Sequence, residues 1–163
     1  MRRLAVVLAT AGGVGYAPIA PGTAGSAAAV ALFLLVSRLP APAYLALVAA
    51  IAVVGVWAAA ESERAFGRSD DGRIVIDEVA GQLVTLAPLV LVGGRDAPWL
   101  LVTGFVAFRC FDIWKPGPVR RAERGFSGGL GVMADDLLAG LLGAGVVALA
   151  GTALGWGAAG AAG

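Results

Sequence analysis

Residues 39–60, LPAPAYLALVAAIAVVGVWAAA, run for 22 positions without a charge. A helix needs roughly 17 to 25 mostly apolar residues to cross a bilayer, and prolines are tolerated in its first turn, where Pro40 and Pro42 fall. The whole chain shares this character. Of its 163 residues, 59% are hydrophobic and 14% charged, with a mean hydropathy of +0.86, against about 45 to 50% apolar residues in soluble domains. The composition implies one domain, spanning residues 1–163, of an integral membrane protein. A net charge of +1 gives no bulk attraction for nucleic acid. Histidine is absent, which removes the commonest general base and metal ligand. The single cysteine, Cys110, excludes an intramolecular disulfide and a thiolate cluster, and reads as a small core residue.

Four further apolar segments flank the opening one. Nothing is charged between Arg3 and Arg38, but Gly12, Gly13, Gly15, Pro18, Pro21 and Gly22 break the run, so the first membrane helix is expected to start near Thr23 or Ser26 and end near Ser37. The third and fourth segments cover residues 79–94 and 98–108, the latter continuing through FRCFDIWKP (108–116) and ending near Lys115, because a residue before proline avoids helical geometry. Residues 137–156 make the fifth, and the glycine-rich tail reads as frayed. Glycines within the spans suit close helix packing in lipid. The first 13 residues, MRRLAVVLATAGG, have the basic start and apolar run of a secretory signal. Their apolar stretch is short, and a half-buried amphipathic or re-entrant helix is the preferred reading. The expected fold is an all-α membrane bundle of about five embedded helices.

Alternation of five spans places ten of the twelve basic residues on one side, with Arg38 and Arg95 opposite, and the positive-inside rule makes the basic side cytoplasmic. Four segments reach that side: APGTAGS (20–26), IVIDEVAG (74–81), FRCFDIWKP and GVMADDLLAG (131–140). They bring Asp77, Glu78, Asp112, Asp135 and Asp136 to one depth, beside Arg109 and Lys115. Five carboxylates do not all ionise at low cost without compensating cations. Oxygen ligands without His or Cys favour magnesium or manganese, whose sites commonly complete their coordination with phosphate oxygens, and Arg and Lys donate to phosphate. The constellation therefore reads as a metal-assisted phosphoryl-transfer or phosphate-hydrolysis site at a cytoplasmic membrane face. Each piece has a plainer alternative. The acidic pairs suit helix N-termini, Arg109 and Asp112 suit an i,i+3 ion pair, and PGTAGS suits a turn and cap. SDDG (69–72) reads as a solvated turn, and GGLG (128–131) is a weak phosphate-loop signal.

The blocks APGTAGS, IVIDEVAGQ, FRCFDIWKPGPV and GGLGVMADDLLAG, in this order and at these separations, resemble the signature blocks of the phosphatidylglycerophosphatase A family. They fall within residues 17–140, roughly three quarters of the chain, whereas residues 28–74 match only in hydrophobic character. The resemblance implies a magnesium-dependent, all-helical phosphatase of the bacterial inner membrane that converts phosphatidylglycerophosphate to phosphatidylglycerol. By position it assigns Asp77, Glu78, Asp112, Asp135 and Asp136 as the acidic site residues, with Arg109 and Lys115 as their basic neighbours. Pro21, Gly22, Thr23, Gly25 and Ser26 form the candidate substrate-binding turn, whose helix-start amides suit an anion. The nucleophile stays open between a water and an aspartate. A phospholipid in the membrane is the expected partner, nucleic acid is not, and a homo-oligomer is left open. A transporter would place ionisable groups near the middles of its spans, which are bare here, and a non-catalytic membrane subunit would need no acidic cluster.

Topology follows from the alternation. In a chain with Cys110 replaced by Ser, single cysteines introduced beside Arg68 and beside Arg95 are expected to react with an impermeant thiol reagent from opposite sides of the membrane. Labelling of both from one side would refute the five-span alternation.

Overall fold

The computed structural model describes residues 1–154, the Glu123 side chain excepted; the tail from position 155 on, including the end of the expected fifth span, lies outside the described residues. Seven α-helices follow in order: α1 (Arg2–Ala9), α2 (Pro21–Val36), α3 (Ala41–Phe66), α4 (Ile76–Leu91), α5 (Pro98–Trp114), α6 (Gly117–Gly125) and α7 (Gly128–Ala153), with a 3-10 segment, Ala11–Tyr16, between α1 and α2. Among the described residues there is no strand. The all-α expectation holds.

Helices α3 and α7, each 26 residues, are long and apolar enough to cross a membrane. Helices α2, α4 and α5 have 16, 16 and 17 residues, which at 1.5 Å per residue gives about 24 to 26 Å against a hydrocarbon core of about 30 Å. Helix α1 is amphipathic: Ala5 and Ala9 are buried, while Leu4 and Val7 are exposed.

The starts of two expected helices shift, and one helix is new. Helix α2 begins at Pro21 after a left-handed Ala20, with no side-chain cap, so Thr23 and Ser26 lie inside its first turns rather than capping it. Proline is preorganised for the first helical position and has no N–H to satisfy there. Helix α7 starts at Gly128 instead of 137, which puts Asp135 and Asp136 two turns inside the helix. Their acidity therefore has no helix-terminus explanation, since the dipole effect fades within the first turn. Helix α6 was not expected: its charges hid a short helix that packs by Val119 and Ala122 and exposes Arg120, Arg121 and Arg124.

The core is organised around α4, 11 of whose 16 residues are buried. Gly140 of α7 has no room for a β-carbon because the Gly81 carbonyl lies against it. A β-carbon on Gly81 would sit 2.5 Å from the Asp136 carbonyl oxygen and from the Phe108 ring. One turn along, the Thr85 hydroxyl lies 3.0 Å from the Gly81 carbonyl oxygen and 3.1 Å from that of Gly140, its proton shared between them. Gly143 faces the same threonine. This is a small-residue seam of the kind that lets helices approach in lipid. Gly129 packs similarly against the α3 backbone at Val56, so GGLG serves as a helix start and packing face. On the other side of α4, Tyr44 donates a 2.7 Å hydrogen bond to the Leu83 carbonyl and meets Phe33 edge to face, with ring centroids 6.0 Å apart.

Cys110 corrects an expectation: it is exposed rather than a core residue. One residue after Arg109, a rotation of about 100° turns it off the interior face. It lines an apolar groove of about 420 Å³ with Val102, Val106, Phe111 and Val146.

The seam makes a graded prediction. Gly140→Ala is expected to lower stability by about 1 to 3 kcal/mol through overpacking, and Thr85→Val by about 0.6 kcal/mol, the mean for an interhelical hydrogen bond in a membrane protein. Unfolding in mixed detergent micelles measures both, and a neutral Gly140→Ala would show that the backbones do not need this approach.

Candidate active site

The N-terminus of α4 is fixed from three directions. The Val75 N–H donates to the Ala9 carbonyl at 2.8 Å, Gly15 abuts the Arg73 carbonyl, and Gly25 lies under the Val75 side chain. The loop before it is held by Arg73, whose Nε and Nη2 donate to the two oxygens of Asp71 at 2.7 and 2.8 Å while its guanidinium stacks on Phe66 at 3.8 Å. Asp71 is buried, so SDDG is only in part the solvated turn expected. The Arg73 guanidinium holds the Asp71 carboxyl down at about 2, below its ordinary 3.8.

Above this base, Asp77 and Glu78 occupy the first turn of α4. Asp136, brought in by the glycine seam, completes a group in which one carboxylate oxygen from each of Asp77, Glu78 and Asp136 lies within 4.8 Å of the others. Asp77 and Asp136 are 8% and 4% exposed. Asp77 Oδ1, Glu78 Oε2 and Asp136 Oδ2 are buried without a hydrogen-bond partner. Bare carboxylate oxygens in a dry interior are costly, by several kcal/mol for an ion without compensation. A divalent cation fits this donor set: three hard oxygens, no competing nitrogen or sulfur, and unused lone pairs.

The remaining residues surround that group. Arg109 Nη1 pairs with Asp112 Oδ2 at 2.5 Å and lies 3.9 Å from Glu78 Oε1 and 3.5 Å from Ser26 Oγ. The i,i+3 ion pair is therefore present and also reaches beyond its own helix. Asp112 is an acidic neighbour of Asp136. Gly22 of α2 lies directly against Glu78 and Arg109, leaving no space for a β-carbon. The Ser26 hydroxyl donates to the Gly22 carbonyl at 3.0 Å. Gly25 packs on Val75 and Pro21 is the first residue of α2, so Gly22 and Ser26 are the members of the turn that touch the site, with Thr23 beside them in the same turn.

Helix α5 ends at Trp114, near the expected end before Pro116, and Lys115 follows it in the left-handed region at φ 47°. That conformation costs a non-glycine residue about 1 kcal/mol or more. It carries Nζ to 2.6 Å from Asp135 Oδ2. Asp135 thus turns toward Lys115 and a cavity of about 210 Å³ that Glu63, Asp70 and Ser127 also line, one helix position away from the three converging carboxylates. The four sequence blocks meet as expected, but Asp77, Glu78 and Asp136 form the inner group while Asp112 and Asp135 are each held by a cation.

Gln82 was not singled out by sequence reasoning. It is fully buried, one turn after Glu78, and both amide atoms lack a partner. Its i+4 spacing from an acidic residue was the available signal.

Apolar helices, two of them long enough to cross a membrane, carrying a buried carboxylate group beside a guanidinium and an ammonium, mark the class as a membrane protein with a charged interior site. The phosphatidylglycerophosphatase A family matches over residues 7–151, and the chain belongs to that family: it is a phosphatase, a phosphoric monoester hydrolase. It is 39% identical to the phosphatidylglycerophosphatase A of Escherichia coli (strain K12) over 86% of this chain and 80% of the relative. Identity to the corresponding protein of Haemophilus influenzae is 35%, over 82% and 80% of the two chains. A Bacteroides thetaiotaomicron protein named "Putative phosphatidylinositol-3-phosphatase" is 42% identical over 85% of this chain and 87% of its own. No solved structure matches the chain.

The Asp71 contribution has a defined pH sense. A carboxyl lowered in the folded state stabilises it above the unfolded value of 3.8, and that contribution fades as pH falls toward 2. Asp71→Asn is expected to speed proteolysis of the residue 67–75 loop at pH 7 and to lose its difference from wild type near pH 2. An unchanged cleavage rate at pH 7 would show that the ion pair does not hold the loop.

Proposed function

We propose that the chain, acting as a single domain, hydrolyses the terminal phosphate of phosphatidylglycerophosphate to give phosphatidylglycerol and inorganic phosphate, with magnesium as cofactor. The reading places about five embedded helices in the inner membrane and the site at its cytoplasmic face. It rests on one observation above all: three buried carboxylates with unpaired oxygens, beside Arg109, in a chain of this family.

Asp77, Glu78 and Asp136 are the proposed magnesium ligands, with Asp112 and Asp135 at the border of the set. Bound there, magnesium supplies Lewis acidity and positive charge to a phosphate group. Arg109, oriented by Asp112, presents its remaining N–H donors to the equatorial phosphate oxygens, where charge develops during transfer. Lys115 steadies Asp135 and adds positive charge at the cytoplasmic side. The N–H groups of Gly22 and Thr23 belong to a helix start, which has no intrahelical partners for them, and they suit the same anion. The apolar groove between α5 and α7, which ends at Cys110 and Phe111, offers an acyl chain a path along the bundle. The nucleophile is a water, or alternatively one of the aspartates. Reduction of acid-quenched enzyme with tritiated borohydride distinguishes them, since only a phospho-aspartate is reduced, leaving tritium-labelled homoserine at that position.

The Bacteroides relative's name favours a second reading, in which the head group is an inositol phosphate. Detergent-solubilised protein is expected to turn over phosphatidylglycerophosphate faster than phosphatidylinositol 3-phosphate, phosphatidic acid or a soluble phosphomonoester, and to stop in excess chelator until magnesium is restored. Asp77→Asn, Asp112→Asn, Asp135→Asn and Asp136→Asn are each expected to lower kcat by about 100-fold or more in a folded chain, Glu78→Gln similarly. Full activity in chelator would refute the metal, and preferred turnover of the inositol lipid would replace the head group.

A further inference from the structure

Gln82 has no role in the reading above, yet its burial is complete and its amide lacks partners at both ends. A buried amide without hydrogen bonds costs a fold about 1 to 3 kcal/mol, so a leucine there would be the cheaper residue. Two groups of the candidate site have the same deficit. Glu78 Oε2 and Arg109 Nε are both buried and unpaired, and Glu78 and Arg109 already approach each other at 3.9 Å. The four atoms are complementary. Gln82 Nε2 and Arg109 Nε are donors, whereas Gln82 Oε1 and Glu78 Oε2 are acceptors. Gln82 follows Glu78 by one helical turn, and helical side chains lean toward the N-terminus, so its amide extends toward the turn that carries Glu78.

We propose that Gln82 is a positioning residue of this site, its amide donating to the Glu78 carboxylate and accepting from Arg109 Nε–H once the divalent cation and phosphate are bound. Gln82 then couples the carboxylate that holds the metal to the guanidinium that meets the phosphate, fixing both orientations through one planar group. A ligand carboxylate keeps a lone pair for such a contact, and partners of this kind commonly change metal affinity about 10- to 100-fold when removed. The inference rests on the proposed magnesium site and adds a residue that acts through Glu78 and Arg109 rather than touching substrate.

The test uses the full chain in detergent and two variants that keep apolar bulk but remove the amide, Gln82→Met and Gln82→Leu. Without metal, both are expected to melt at or above the wild-type temperature, because two unpaired buried atoms are gone. The magnesium concentration giving half of the metal-dependent rise in melting temperature is expected to increase about tenfold. On phosphatidylglycerophosphate, kcat is expected to fall about tenfold with KM within about twofold, the pattern for a group that orients charge in the transition state. Wild-type magnesium half-points and kcat in either variant overturn the proposal. So does misfolding of both, since an amide that is unpaired without metal cannot be what the metal-free fold depends on. A wild-type chain that hydrolyses the lipid but shows no thermal response to magnesium overturns the metal site itself, and this inference with it.

Discussion

Where α4 crosses α7, no side chain separates the two backbones: Gly81 and Gly140 meet carbonyl against Cα, and Thr85 shares its hydroxyl proton between the two carbonyls. The placement of the inner acidic group follows from that crossing. Asp77 lies one turn before Gly81 and Asp136 one turn before Gly140, so the contact that brings the glycines together also brings the two carboxylates together. Lipid gives no hydrophobic reward for pairing two apolar helices, which leaves van der Waals contact and hydrogen bonding to hold the crossing. Both are maximal when the side chains between the helices are absent. The acidic group is thus placed by close packing in spite of its own electrostatics.

That electrostatic cost is met unevenly. Asp112 has Arg109, and Asp135 has Lys115, with ion pairs of 2.5 and 2.6 Å. Asp77 has no cation of its own among the described ion pairs, Glu78 has Arg109 only at 3.9 Å, and Asp136 faces Asp112, another acid. The protein therefore gives the outer carboxylates cations, although Asp135 Oδ1 also lacks a partner, and leaves the inner three with spare oxygens and no close cation. A fold selected for stability alone would more cheaply fill these positions with apolar side chains, since even a well-made buried ion pair is often no better than a hydrophobic replacement. The excess of unpaired acceptors supports the proposed cation, and the guanidinium beside them supports the proposed phosphate.

The left-handed Lys115 belongs to the same logic. Glycine is the usual residue in that conformation after a helix, yet a glycine would bring no ammonium to Asp135. The strain is local and is offset by a charge-assisted hydrogen bond. Asp71 and Arg73 perform a similar service for the loop below α4, where a bidentate pair stacked on Phe66 sets the backbone that leads into Asp77.

By itself the sequence determined the all-helical class, the apolar character of the long spans, the end of α5 near Lys115, and the meeting of the four blocks that carry Gly22, Asp77, Arg109 and Asp136. These are legible because hydropathy, proline geometry and charge spacing act within a few residues of where they are read. Only the tertiary structure decided which carboxylates converge and which are paired off, that Cys110 faces outward, that α7 begins nine residues earlier than its first long apolar run, and that Gln82, one turn after Glu78, is fully buried with its amide unpaired. Those outcomes depend on helix rotation and on crossings between residues far apart in the chain, and a rotation of about 100° per residue is enough to turn a side chain from the interior to the surface.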